Sequence, residues 1–369
     1  MKLLVQPGDG IQALLSGIKS AKKSIEVMIF RLDQKEIIAA LEDAVARGVA
    51  VHALIAHTNR AGEQNLRKLE QRLLAAGITV ARTADDLARY HGKFMIIDRR
   101  VLYLLAFNYT YLDINHSRSF GIVTRNQALV REAIKLFEAD VWRRPYTPAL
   151  DTMVVSPLNA RKRLATFIQG ARRQLLIYDE QVTDRQMLSL LQSRAQAGVE
   201  IKIIGRMGKR SKGIIALRKP GMRLHTRTII RDGQQVFIGS QSLRKIELDA
   251  RREVGIIVRD SGVVNRLLHT FEADWELANS VEGSSAVEKG KLIPAAKIAK
   301  KAVKSVANEL PKLVPRVKEA VVEVVVEAVD ETPKVEEIGA AVKEAVKEAV
   351  KEAVKEAVSE EAQKVGQAA

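Results

Sequence analysis

His91-x-Lys93-x4-Asp98 in the first half of the chain is matched by His225-x-Arg227-x4-Asp232 in the second, so one histidine, one cation and one carboxylate recur at identical spacing. A chain with six histidines in 369 residues does not produce such a pair from composition alone. The surroundings repeat as well. Segment 20–30 resembles 170–180, segment 47–55 resembles 197–205, and Phe-Glu-Ala-Asp stands at 137–140 and again at 271–274. The second copy is shorter between its second strand and its motif, where the first carries a basic helix-like insert at 61–76. Duplication at this length implies two similar lobes rather than a solenoid, with the two half-sites meeting in one composite site.

Helix and strand signals alternate within each copy. A helix is expected over 9–21 and a buried strand over 25–30; Asp33 with Glu36 then forms a capping box for a helix ending at Gly48, before a strand at 49–56. The second copy reads as a helix over 159–171, a strand over 174–178, a helix from Thr183 or Asp184 to Ala197, and a strand over 199–204. Helices at 129–142 and 265–278 close the copies, with Phe137, Trp142, Phe271 and Trp275 expected as core anchors. The fold class is therefore α/β, each lobe a mixed β-sheet flanked by helices, with the active site at the lobe interface. The expected division is a first lobe at 1–150, a second at 151–280, and a low-complexity helical tail at 281–369.

His and Lys two apart on an extended segment point to one face and so into one cleft. Segments 94–97 and 228–231 read as the strands that follow. Asp98 and Asp232 fall at the strand ends, where a turn and a catalytic role compete, since Asp232-Gly233 is an ordinary hairpin signal. The other histidines, His52, His57, His116 and His269, carry no motif.

On these residues the chain resembles the phospholipase D superfamily over about residues 1 to 280. Members pair two HxKxxxxD motifs, usually each followed by Gly-Ser-x-Asn and then by a Glu. The first copy keeps Asn108 but has Leu105-Ala106 for Gly-Ser and Ser119 for the Glu. The second keeps Gly239-Ser240 and Glu253 but has Ser242 for Asn and Arg227 for Lys. The resemblance implies two phospholipase D-like lobes and a metal-independent phosphodiesterase or phosphatidyltransferase that works through a phosphohistidine, with His91, Lys93, Asp98, His225, Arg227, Asp232 and Glu253 as catalytic candidates. Lys93, Asn108, Arg227, Ser240 and Ser242 would bind substrate.

The chemistry suits those residue types. One imidazole attacks phosphorus as the free base while the other donates a proton to the leaving alkoxide. Lys93 and Arg227 supply the charge that a metal supplies elsewhere, although a guanidinium does not reproduce an ammonium's geometry. Glu253 is expected to orient His225, which favours His225 as nucleophile and His91 as acid. No cofactor is expected. The absence of cysteine, HExxH and HxH gives no pattern for a metal.

Charge bounds the partners. Segment 281–369 holds 15 Lys and Arg against 16 Asp and Glu, so segment 1–280 carries the other 45 against 28 and holds all of the net positive charge. Segment 205–231 has nine cations and no acid. Such a field attracts nucleic acids and anionic phospholipid surfaces alike, while a solvated basic face is the plainer reading. The amino terminus lacks a secretory apolar core, and no apolar run reaches the roughly 18 residues that span a bilayer. A soluble or peripheral protein is expected, compatible with the cytoplasm. It would act as a monomer, with both half-sites in one chain.

In the tail, 289–318 is basic and interrupted by Pro294, Pro311 and Pro315, and 342–358 repeats Val-Lys-Glu-Ala. A period of four drifts about 40° per repeat around an α-helix, so its valines form no straight stripe. A solvated, partly helical tail is expected over a dimerisation coil. Lipid leads as substrate class, with a superfamily nuclease and a degenerate phosphate-binding or membrane-binding protein as alternatives.

Overall fold

The central strands Ser24–Ile29 and, over residues 175–178, Gln174–Val182 are largely apolar and buried on both faces, which requires helices or a second layer on each side. A computed structural model of the chain describes residues 1–57, 63–208 and 212–288. In the first sheet the order runs Thr79–Arg82, Ala50–Ile55, Ser24–Ile29, Phe94–Ile97, Val101–Leu105, Ser117–Thr124, Lys2–Gln6. In the second it runs Ile214–Leu217, Glu200–Met207, Gln174–Val182, Arg227–Arg231, Gln235–Gly239, Val254–Val258, Met153–Val155. The two orders correspond strand for strand. In both, the first three strands pair in parallel and the rest antiparallel. The insert of the first copy is the helix Glu63–Ala75.

Three apolar clusters fill the layers. The outer face of the first sheet packs on helices Gln12–Ser20, Lys35–Ala46 and Glu63–Ala75, and that of the second on Ala160–Gln169 and Arg185–Gln196. A third cluster joins both sheets through Gln127–Trp142 and Ser261–Glu288, with Phe120 against Tyr178 at 5.2 Å between ring centroids. Phe137 and Phe271 anchor it as expected. Trp142 does not: it is 66% exposed, because the helix turns into a left-handed cap at Arg143 and leaves its last residue outside. The capping box at Asp33 also fails. Gln34 takes the cap position without a side-chain bond, and Asp33 instead accepts from the backbone N–H of Tyr111.

Two short parallel ribbons stitch the lobes. Arg89–Tyr90 pairs with Arg251–Arg252, and Arg223–Leu224 pairs with Ser117 and Arg118. They occupy equivalent places in the two copies, and each leads directly into a motif histidine. Residues 1–284 form one compact unit. The tail expectations for 289–369 lie outside the described residues, and among those described no helix is long and apolar enough to cross a membrane.

Candidate active site

Each motif histidine hangs from the opposite lobe. The N–H of His91 donates to the carbonyl of Arg252 at 2.7 Å, and that of His225 to the carbonyl of Arg118 at 3.0 Å. Strand alternation then turns the next residue on each partner strand, Glu253 or Ser119, toward the histidine. Glu253 Oε2 lies 2.7 Å from Nδ1 of His91. Ser119 Oγ donates to the carbonyl of His225 at 2.6 Å.

The first half-site packs against an aromatic ring. His91 stands edge-on to Phe30 at 4.5 Å between ring centroids, and Lys93 Nζ lies 5.4 Å over the same ring. Lys93 Nζ is 2.7 Å from Nε2 of His91 and 2.9 Å from Nδ1. Gly92, between them, faces the core. A Cβ there would meet Met28 Sδ at 2.5 Å, so only glycine lets the segment lie this close.

The second half-site is rich in carboxylates. His225 Nδ1 is 3.0 Å from Asp113 Oδ2, an ion-pair distance off the line that a hydrogen bond needs. Arg227 Nε donates to Ser242 Oγ at 3.1 Å and Nη2 to Glu180 Oε2 at 3.3 Å, with Glu247 3.9 Å away. Ser242 Oγ donates in turn to Asp179 Oδ1 at 2.8 Å. Nη1 of Arg227 and Oδ1 of Asn108 are buried with no hydrogen-bond partner among the described residues, which leaves one donor and one acceptor for a ligand.

The cluster brings together His91, Lys93, His225, Arg227 and Glu253, whose charges shift one another's protonation. It corrects the pairing expected from sequence: Glu253 serves His91, not His225, because the strand carrying it faces the other lobe. Asp98 and Asp232 do not join the cluster. Each sits at the turn after its strand with positive φ and accepts from three successive backbone N–H groups, of residues 22–24 and 172–174 respectively. The turn reading wins there. Ser240 Oγ accepts from Val254 N at 3.1 Å and Asn108 Nδ2 donates to Asp113 at 2.7 Å, so both support the cluster. Asp113, Glu247, Asp179 and Glu180 were missed. Asp113 and Glu247 are related by the same offset in the chain as the two histidines, and that repeat was the available signal.

Burial, with Lys93 and Arg227 adding to it, drives His91 well below the usual imidazole range, so it is a free base at neutral pH. Burial lowers His225 too, but Asp113 opposes the shift. Burial also brings Lys93 down to about 7 against the pull of Glu253, and raises Glu253. Asp113 would be raised by burial, yet His225, the Asn108 N–H and Arg223 hold it well below the carboxylate range. The arrangement can offer a neutral imidazole on one side of a phosphate and, on the other, an imidazole whose cation a carboxylate would stabilise.

Two cavities share Arg223, and the second has Asp113 in its wall. One of about 340 Å³ is basic, with Arg206, Arg218 and Lys219 in its wall beside Glu180. The other, of about 220 Å³, is lined by Leu32, Leu66, Leu69 and Leu112 below Asn108.

The sequence matches the family described as "Cardiolipin synthase, PLD-like domain" over residues 14–142 and 164–275. A polyphosphate kinase from Prosthecochloris aestuarii is 26% identical over 295 residues, 71% of this chain and 41% of that protein. A mitochondrial cardiolipin hydrolase from Danio rerio is 30% identical over 130 residues, 34% of this chain and 56% of that protein. The crystal structure of polyphosphate kinase from Porphyromonas gingivalis superposes with a TM-score of 0.63 at 21% identity, covering 74% of this chain and 50% of that one. A phosphatidylserine synthase from Haemophilus influenzae gives 0.57 at 10% identity, covering 75% and 86%. These structural likenesses show the fold. The chain spans about two fifths of the length of the first polyphosphate kinase it matches.

Proposed function

This chain belongs to the phospholipase D-like family, and from that premise we propose that it transfers a phosphoryl-bearing group from an anionic phosphate ester or anhydride through a phosphohistidine on His91. The carrying observation is the 2.7 Å contact between Glu253 and Nδ1 of His91. It favours the tautomer with its proton on Nδ1 and its lone pair on Nε2, which Lys93 Nζ contacts at 2.7 Å and gives up to phosphorus as Lys93 turns to a phosphoryl oxygen. In the first step the P–Nε2 bond forms as the P–O bond to the leaving group breaks, and protonated His225 gives that oxygen its proton. In the second, water or an acceptor hydroxyl attacks phosphorus, His225 takes its proton, and the P–Nε2 bond breaks. Lys93 and the open Nη1 of Arg227 hold the phosphoryl oxygens. Asp113 stabilises the imidazolium of His225, as a carboxylate beside a general acid should.

Lipid as substrate draws on the family's description and on the relative named as a cardiolipin hydrolase. The basic cavity beside Glu180 and the relatives named as polyphosphate kinases support a more densely charged substrate. One experiment tests the reaction and separates the substrates: incubate purified protein in EDTA with phosphatidylglycerol vesicles, single-stranded DNA, or inorganic polyphosphate plus ADP, then assay product and acid-labile label on histidine. Turnover in EDTA with label on His91 is expected. Retention of phosphate without turnover or label in any arm would overturn catalysis and leave a phosphate-binding protein.

A further inference from the structure

The repeat contains a second pair of equivalent charges behind the histidine ribbons, and the two copies treat it differently. Arg118 and Asp274 in one place correspond to Arg252 and Asp140 in the other, related by the same offset in the chain as the two histidines. Asp274 is saturated: Arg118 Nε and Nη2 donate to it at 2.7 and 2.9 Å, Tyr178 OH at 2.8 Å, and Lys219 Nζ stands 3.2 Å away. Asp140 receives Arg252 Nη2 at 3.1 Å through Oδ1. Its Oδ2 and the Nε of Arg252 are buried with no hydrogen-bond partner among the described residues. The place of Tyr178 is taken by Met28, which brings no donor. In the first copy Asp140 and Arg252 line a cavity of about 360 Å³.

A buried acceptor beside a buried donor costs free energy unless something pairs with both. Asp140 and Arg252 are 4% and 8% exposed and line that cavity. Burial pushes Asp140 up to about 6 against the pull of Arg252, so at neutral pH it is a carboxylate and accepts. Tyr90, Tyr146, Pro145 and Pro157 are prominent in the remaining walls, and Asp86, Arg143 and Arg144 are exposed at the edge. The hydroxyls of Tyr90 and Tyr146 are already spent on Asp86 and Glu132, which leaves their rings as contact surface. Such a volume falls in the range of small-molecule sites, where a few polar groups converge within apolar walls.

We propose that this cavity binds a nucleotide whose base presents an amino group beside a ring-nitrogen acceptor, the edge shared by adenine and cytosine. The amino group donates to Asp140 Oδ2, the ring nitrogen accepts from Arg252 Nε, the base lies between the tyrosine and proline walls, and the phosphate meets Arg143 and Arg144. The site lies back to back with the catalytic one. Tyr90 and Arg252 face the cavity, while their next neighbours on the ribbon, His91 and Glu253, face the reacting phosphate. This placement does not depend on which substrate the enzyme uses.

The test is calorimetric titration of the full chain with AMP, CMP, IMP, UMP and inorganic phosphate. AMP or CMP should bind at least about tenfold more tightly than IMP and UMP, whose keto edge sets an acceptor against the carboxylate. Comparison of AMP with CMP then identifies the base. Asp140→Asn should weaken the preferred nucleotide by about tenfold. Leu158→Trp, at an exposed position on the rim, should block entry without disturbing the core. Arg143→Asn, chosen because φ is positive there, together with Arg144→Ala, should reduce nucleotide binding toward that of the nucleoside. Equal affinity for all four nucleotides, no binding at millimolar concentration, or binding unchanged in both Asp140→Asn and Leu158→Trp would each overturn the proposal.

Discussion

The first half-site sets one ammonium and one imidazole against an aromatic ring, whereas the second surrounds its guanidinium with Ser242, Glu180 and Glu247 and pairs its imidazole with Asp113. Identical motif spacing thus yields opposite electrostatics. The difference begins toward the ends of the central strands, at Ile29-Phe30 in one lobe and Asp179-Glu180 in the other. Apolar residues there desolvate Lys93 and His91 and drive both toward neutrality, while acidic residues keep Arg227 charged and anchored. The duplicated frame supplies geometry, and in the proposed reaction the residues facing it divide the labour between nucleophile and acid.

The histidines offer the sharpest way to break that division. His91→Ala and His225→Ala should each lower turnover by about 10⁴-fold or more. Given an activated aryl phosphate ester whose leaving group needs no proton, His225→Ala should still form a phosphoenzyme and His91→Ala should not. Label in the reverse pattern would exchange the roles. The carboxylates come next. Glu253→Gln should reduce kcat by about 10³-fold through loss of the tautomer. Asp113→Asn should cost about 10²-fold with an alkoxide leaving group and little with the activated ester, and equal losses on both substrates would deny the asymmetry.

A pH profile gives a smaller effect. Lys93 must be charged to hold phosphoryl oxygens and is so below about 7, so kcat/KM of the free enzyme should fall as pH rises through that value. Lys93→Arg should remove that limb at some cost in rate, since arginine stays charged. Survival of the limb would trace it to His225. The smallest effect belongs to the turns. Asp98→Ala and Asp232→Ala should each destabilise the fold by about 1 kcal/mol, measured by denaturant unfolding, and leave kcat within about twofold at a temperature where the variant is folded. A large loss of turnover in a folded variant would restore a catalytic role to these carboxylates.

Much of this was legible in the chain. Apolar runs placed the central strands, the FEAD pair placed the closing helices, and Asp184 caps its helix through Met187 N as its residue type suggests. Asp33 looked equally suited to a cap but was drawn to Tyr111, far along the chain, a competition no local pattern reveals. Trp142 carried the size of a core anchor without a place in the core, because helix phase at a terminus depends on the turn that follows.

The sequence by itself determined that there are two lobes, that each supplies a histidine and a cation, and that the motif residues share a face, because strand periodicity and spacing are properties of the chain alone. Only the tertiary structure decided which carboxylate serves which histidine. Glu253 is far nearer in the chain to His225 than to His91, yet bonds His91 at 2.7 Å, because the interlobe ribbon hangs each histidine from the opposite lobe. Contacts across an interface follow from packing the two lobes together, and nothing in local spacing encodes that.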